Sequence, residues 1–245
     1  MVIGGASLAA SSPVAPTLPY HGGVSVDKRR WSGDLGPHSE FGDGRLGPMI
    51  DDFAKEYLHN DLRAVRETMI WKLEGLSEYD VRWPLTYTGT NLLGLIKHLS
   101  VSQAWYFGDV FGRPFPGQWR RWDDPAGQLD LMWAAADESR TEIVDRYRQS
   151  GRLSDATIAA LDIDTPGRVP WWPRPDVMLF NILVHVLTET HRHAGHADIL
   201  REQLDGVAGF DPDMAWSSTG EMQAFWEHHR TAIEQAAKAA EPNQT

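Results

Sequence analysis

Residues 184–202 read VHVLTETHRHAGHADILRE, which sets four histidines, two glutamates and an aspartate in an otherwise apolar run. The segment predicts a helix that begins near Asp176 and stops at Asp205-Gly206. At 100° per residue, Met178, Ile182, His185, Glu189, His193, His196 and Leu200 fall within roughly 40° of Glu189. That stripe is apolar at both ends and ionisable in the middle. Facing a core, it would turn four ionisable groups inward and leave His191, Asp198 and Glu202 outward, solvated or paired with Arg192 and Arg201. An inward carboxylate is costly unless it is paired, hydrogen-bonded or metal-bound. The chain must therefore fold so that another element answers this helix.

The rest of the sequence supplies such elements. Ile50, Ala54, Leu58, Leu62, Val65, Met69 and Leu73 recur at helical spacing, with Gly75 placed to end the helix. Thr90 can cap a second helix running through NLLGLIKHLSVSQAWYFGDVFG to about Gly112. Asp124-Pro125 predicts the start of a third, traced by Leu129, Met132, Trp133, Ala136, Ile143, Val144 and Tyr147 and ended near Gly151. Residues 152–175 look irregular and close with PWWPRP. Ser218-Thr219-Gly220-Glu221 reads as a capping box for a final helix to about Ala240. No strand pattern of convincing length is visible. The expectation is an all-α domain over 48–241, four principal helices and a C-terminal fifth. Residues 1–47, rich in Gly, Pro and Ser, read as a flexible N-terminal extension.

Composition narrows the chemistry. The 245 residues contain no cysteine, which excludes disulfides, thiolate metal sites and a cysteine nucleophile. A net charge of −11 argues against sequence-blind nucleic-acid binding. No apolar run approaches a membrane span, and the N-terminus lacks the basic and compact apolar regions of a signal peptide, so the expected compartment is the cytoplasm.

A metal would have to be held by His, Asp and Glu. Glu189 and His193 stand at i and i+4, with Cβ atoms about 5–6 Å apart on one face. In a bundle the remaining ligand comes from a facing helix, and His98 in GLIKHLS, on one stripe with Gly94, Leu95 and Trp105, is the best candidate. Two histidines and a glutamate leave zinc a fourth position for water or substrate. Spacing alone does not choose among Glu189/His193, His185/Glu189 and His193/His196, and a plain Glu–His ion pair would satisfy the same pattern.

TGTNLLGLIKHLS with WYFGDVFG resembles the second helix of the DinB-like superfamily, HVLTETHRHAGHADILREQLDG its fourth, and IWKLEGLSEYDVRWPL its first helix and exit. The resemblance spans about residues 49–240. It implies an up-down-down-up four-helix bundle holding one divalent metal through His98, Glu189 and His193, and so selects the pair that spacing left open. The Glu-x-x-x-His pattern is similar to mycothiol-dependent maleylpyruvate isomerase. Characterised relatives use a low-molecular-weight thiol, and several are thiol S-transferases.

The resemblance thus implies a metal, zinc foremost with nickel, iron or manganese compatible, and mycothiol as co-substrate. A thiolate would attack an electrophilic small molecule. His196 and His185 are candidates to orient ligands or move a proton. Trp105, Arg120, Arg121, Trp171, Trp172 and Arg192 are candidates to contact substrate, with Trp171-Trp172 as a lid. Rival readings are a non-catalytic metal-binding protein, a thiol-dependent isomerase and a metal-dependent hydrolase. Phe225, Trp226 and Ile233 on the last helix would pack on the bundle or form a homodimer interface.

Overall fold

A computed structural model describes residues 47–119 and 130–240. The expected extension up to residue 46 and the arginines at 120 and 121 lie outside the described residues. Helix α1 spans Gly47–Trp71 and buries Leu62, Val65 and Met69. A one-turn helix α2, Glu78–Arg82, follows. Its capping box is reciprocal: Ser77 accepts from the Asp80 N–H, and Asp80 accepts from the Ser77 N–H.

Helix α3, Leu92–Phe107, is buried at every position but Lys97, as expected of a helix apolar all round. Its cap is Asn91, not Thr90. The Asn91 side-chain oxygen accepts from the Gly94 N–H at 2.8 Å, and its amide donates to the Met132 carbonyl. Thr90 instead donates its N–H to the Thr86 hydroxyl. The Met132 carbonyl lies so close to α3 that a Cβ at Gly94 would run into it. Gly94→Ala should therefore destabilise the protein by about 1–3 kcal/mol through overpacking, seen as a lower urea midpoint. An unchanged midpoint would show that the 132 segment moves aside freely.

The helix start expected at Asp124-Pro125 lies outside the described residues; residues 131–139 are not helical, and helix α4 covers Arg140–Ala160 with Ser139 as cap. It runs straight through Gly151, the expected stop. Strands β1 (Pro166–Arg168) and β2 (Asp176–Met178) pair antiparallel, Gly167 opposite Val177, and their connection carries the two tryptophans of PWWPRP. Helix α5, Leu179–Asp205, starts after β2 instead of at Asp176 and ends on Gly206 in the left-handed region. A second two-residue pair, β3 (Val207–Ala208) with β4 (Trp216–Ser217), precedes helix α6, Gln223–Ala239. The expected capping box at Ser218 is not formed, because its hydroxyl donates to the Gly206 carbonyl. α6 buries none of its residues, and Trp226 stacks on Trp216 with ring centroids 4.6 Å apart.

Helix α3 packs on α4 and α5, and α1 on α5 and α4, so the four close around a shared aliphatic core. The fold is all-α, a four-helix bundle with an added C-terminal helix. None of its helices, among the described residues, is long and apolar enough to cross a membrane.

Polar ties join α1 to α5. Lys72 is fully buried, its ammonium 2.7 Å from Asp198 and donating to the Gly209 carbonyl. Arg201, expected at the surface, is buried; it pairs with Asp205 and donates to the Lys72 carbonyl. Asp198 thus partners Lys72, not Arg201 or Arg192.

Candidate functional site

The buried stripe of α5 runs through Leu179, Ile182, Leu183, Val186, Thr190, His193, Ala197 and Leu200. Its centre lies roughly 70° round the helix from Glu189. The expected stripe centred on Glu189 is therefore corrected. Met178 is exposed and lies in β2, while His185 and Glu189 are half-buried and His196 is exposed on the flank of the packed face. The aliphatic residues and Thr190 set the packing. The ionisable residues occupy the seam between α5 and α3, half open to water.

His98 of α3 reaches that seam from the other side. Glu189 Oε1 stands 3.0 Å from His193 Nε2 and 3.6 Å from His98 Nε2. The two imidazoles are nearly buried, with ring centroids 5.0 Å apart and tilted edge to face. These three side chains form the group of His and carboxylates, among the described residues, whose ligand atoms all lie within 4.8 Å of one another. Tetrahedral zinc with ligands at about 2.0–2.1 Å would set neighbouring ligand atoms about 3.3–3.4 Å apart. The two measured Glu189 distances bracket that spacing, so this donor set fits a divalent ion after small rotations. The contacts of Glu189 with His193, and then with His98, hold its carboxyl well below the usual range, against the opposing effect of burial.

Beyond the triad, His196 Nδ1 lies 3.3 Å from His193 Nδ1. Burial, followed by the charges of His193 and Arg192, lowers the His196 pKa, with Glu189 acting the other way. Arg192 itself is exposed. One turn before Glu189, His185 sits between the rings of Tyr106 and Trp172, 4.7 Å from each. Burial lowers its pKa, with Glu189 again opposing. Trp171 contacts both Tyr106 and Trp105 at ring distances of 6.3 and 6.2 Å. The β1–β2 connection thus lays an aromatic wall on α3 beside the triad.

Tyr106 is the wall member absent from the expected substrate contacts. Burial raises its pKa, the indoles of Trp172 and Trp171 oppose this, and Glu189 adds to the rise. Its position beside the conspicuous His98 stripe was legible, but the indoles that meet it are more than sixty residues away. Trp105 is buried with Val101 and Leu131, and Trp171 is partly exposed.

No curated protein sequence matches the chain. A family model described as mycothiol-S-transferase matches residues 57–206, more than half of the chain, from the third turn of α1 to the Gly206 that ends α5. The match contains His98, Glu189, His193 and the aromatic wall, and by it the chain belongs to the mycothiol S-transferase family, within the DinB-like superfamily.

Proposed function

We propose that this protein is a metal-dependent thiol S-transferase that joins mycothiol to an electrophilic small molecule. The observation that carries the reading is the convergence of His98 from α3 with Glu189 and His193 from α5 at ligand spacing. His98, Glu189 and His193 would hold the ion. Zinc bound there would supply a positive centre that favours thiolate over thiol. Each remaining role falls to the protein.

Glu189, kept ionised by its two histidines, gives the site its negative charge. If His193 held the ion through Nε2, its Nδ1–H would be free to donate a hydrogen bond to His196 Nδ1, 3.3 Å away, and so fix the ring's orientation. His185, kept neutral by burial, is available to accept the thiol's proton. The sulfur lone pair forms the new carbon–sulfur bond while the leaving group departs with its bonding pair. Trp105, Tyr106, Trp171 and Trp172 would shield the reacting sulfur from water, and Arg192 stands at the outer edge to meet a polar substituent.

The test mixes zinc-loaded protein, mycothiol and monochlorobimane and follows the fluorescent thioether. The wild type should form it well above the uncatalysed rate, and His193→Ala should lower kcat/KM by at least about 100-fold, more than loss of an outer partner costs. Loaded wild type that binds mycothiol by calorimetry but yields no thioether with a panel of electrophiles would leave a metal-binding protein without transferase chemistry.

A further inference from the structure

A second polar feature lies between α1 and α4 and shares no residue with the triad. Arg63 and Arg66 of α1 face Tyr147, Arg148, Arg152 and Asp155 of α4 across a cleft of about 310 Å³. The lining carries four arginines against two carboxylates, Asp155 and Glu67. This is a local positive excess on a chain whose net charge is −11.

Asp155 neutralises only part of that charge. It takes Nη1 of Arg66 at 2.6 Å, Nε of Arg63 at 3.1 Å and the His59 ring at 2.8 Å. The Arg66 side chain is 6% exposed, yet among the described residues its Nε and Nη2 have no hydrogen-bond partner, and neither does the buried Tyr147 hydroxyl. Buried donors left unpaired are costly and rare. The two free Arg66 nitrogens are the pair whose N–H bonds run parallel along one edge of the guanidinium. That edge can donate to two oxygens of a carboxylate or phosphate at once.

Two further observations agree. A Cβ on Gly151 would stand 3.6 Å from Arg66 Cδ and 3.8 Å from Nε, so a longer side chain there would crowd this edge. Burial raises the Tyr147 pKa above its usual value, so the hydroxyl stays a donor at neutral pH.

We infer that the cleft is an oxyanion site, in which a carboxylate or phosphate group is held by the free Nε/Nη2 edge of Arg66 and the Tyr147 hydroxyl, with Arg148 and Arg152 at its mouth. The site lies apart from the triad and does not depend on the transferase reading.

Thermal denaturation of the full chain in EDTA tests it, with sodium phosphate, sodium malonate or sodium chloride at matched ionic strength. Phosphate or malonate should raise Tm in a saturating way and chloride should not. The stronger of the two identifies the oxyanion. Tyr147→Phe should weaken the apparent affinity about tenfold, the worth of one hydrogen bond to a charged group. In the absence of anion this variant should be no less stable than wild type, because its hydroxyl has no partner to lose. Arg148→Gln/Arg152→Gln should also weaken binding, and His193→Ala should respond as wild type does. Equal shifts in all three salts would overturn the site. So would wild-type binding by both the Tyr147 and the arginine variants, or a loss of anion-free stability in Tyr147→Phe, which would reveal an internal partner for the hydroxyl.

Discussion

Glu189→Gln should lower the affinity for zinc by more than about 100-fold and leave the helical content intact. Glutamine keeps the length and polarity of the side chain, so it can still hydrogen-bond where the carboxylate stood 3.0 Å from His193 and 3.6 Å from His98. It removes the triad's only negative charge. Loss of an outer hydrogen-bonding partner costs about 10–100-fold in metal affinity, and removal of an anionic ligand should cost more. Glu189→His, which restores a donor of suitable reach, should recover much of the loss. Competition titration against a chromophoric chelator reads both variants, with metal content of the purified proteins as a second measure. The two histidines hold the Glu189 carboxyl well below the usual carboxylate range, so mild acid should not remove the triad's negative charge. A glutamine variant that binds zinc as tightly as wild type would reduce the triad to an ion pair between helices.

The triad was legible in two steps: local spacing offered three candidate pairs on one helix, and the family resemblance chose Glu189 and His193 among them. Two side chains four residues apart on a helix must share a face, and the third lies on a helix whose sequence leaves little but the core for it to occupy. The phase of the stripe was not legible in the same way. The ionisable residues of 185–196 drew the reading toward Glu189, whereas the packed face is set by Leu183, Val186, Thr190 and Ala197. The site consequently sits on a half-open seam, not in the bundle's centre. Ser139 with Glu142 signals the start of α4, whereas the expected single helix through Met132, Trp133 and Ala136 is interrupted because residues 131–139 are turns, bends and irregular backbone. Gly151 reads as a stop, but in the folded chain Arg66 lies against it. Strands of three residues leave no periodicity to find. Lys72 looks like a surface lysine until Asp198 and Gly209, more than 120 residues on, close over it.

Asp155 is a similar case and carries the second large expectation. Asp155→Ala should destabilise the protein by about 3–5 kcal/mol, the cost of breaking a buried pair by removing one partner. The carboxylate is the shared acceptor for His59, Arg63 and Arg66, and Arg66 is almost wholly buried. Without Asp155 its guanidinium would keep its charge but lose the carboxylate it is hydrogen-bonded to, since arginine does not deprotonate in proteins. Burial pushes the Asp155 carboxyl up, but His59 and then Arg66 more than reverse this and hold it well below the usual range. The sign of the pH dependence follows. A folded pKa depressed below the unfolded value of about 3.9 contributes stability that is present above that value and is lost as pH falls toward the folded one. Urea denaturation at pH 7 should show the full deficit of Asp155→Ala relative to wild type, and the gap should narrow as both are taken below about pH 4. A double variant, Arg66→Met/Asp155→Ala, should recover part of the loss because it removes the stranded charge along with its partner. A deficit that is constant across pH would assign the cost to packing at the α1–α4 contact, not to the charge.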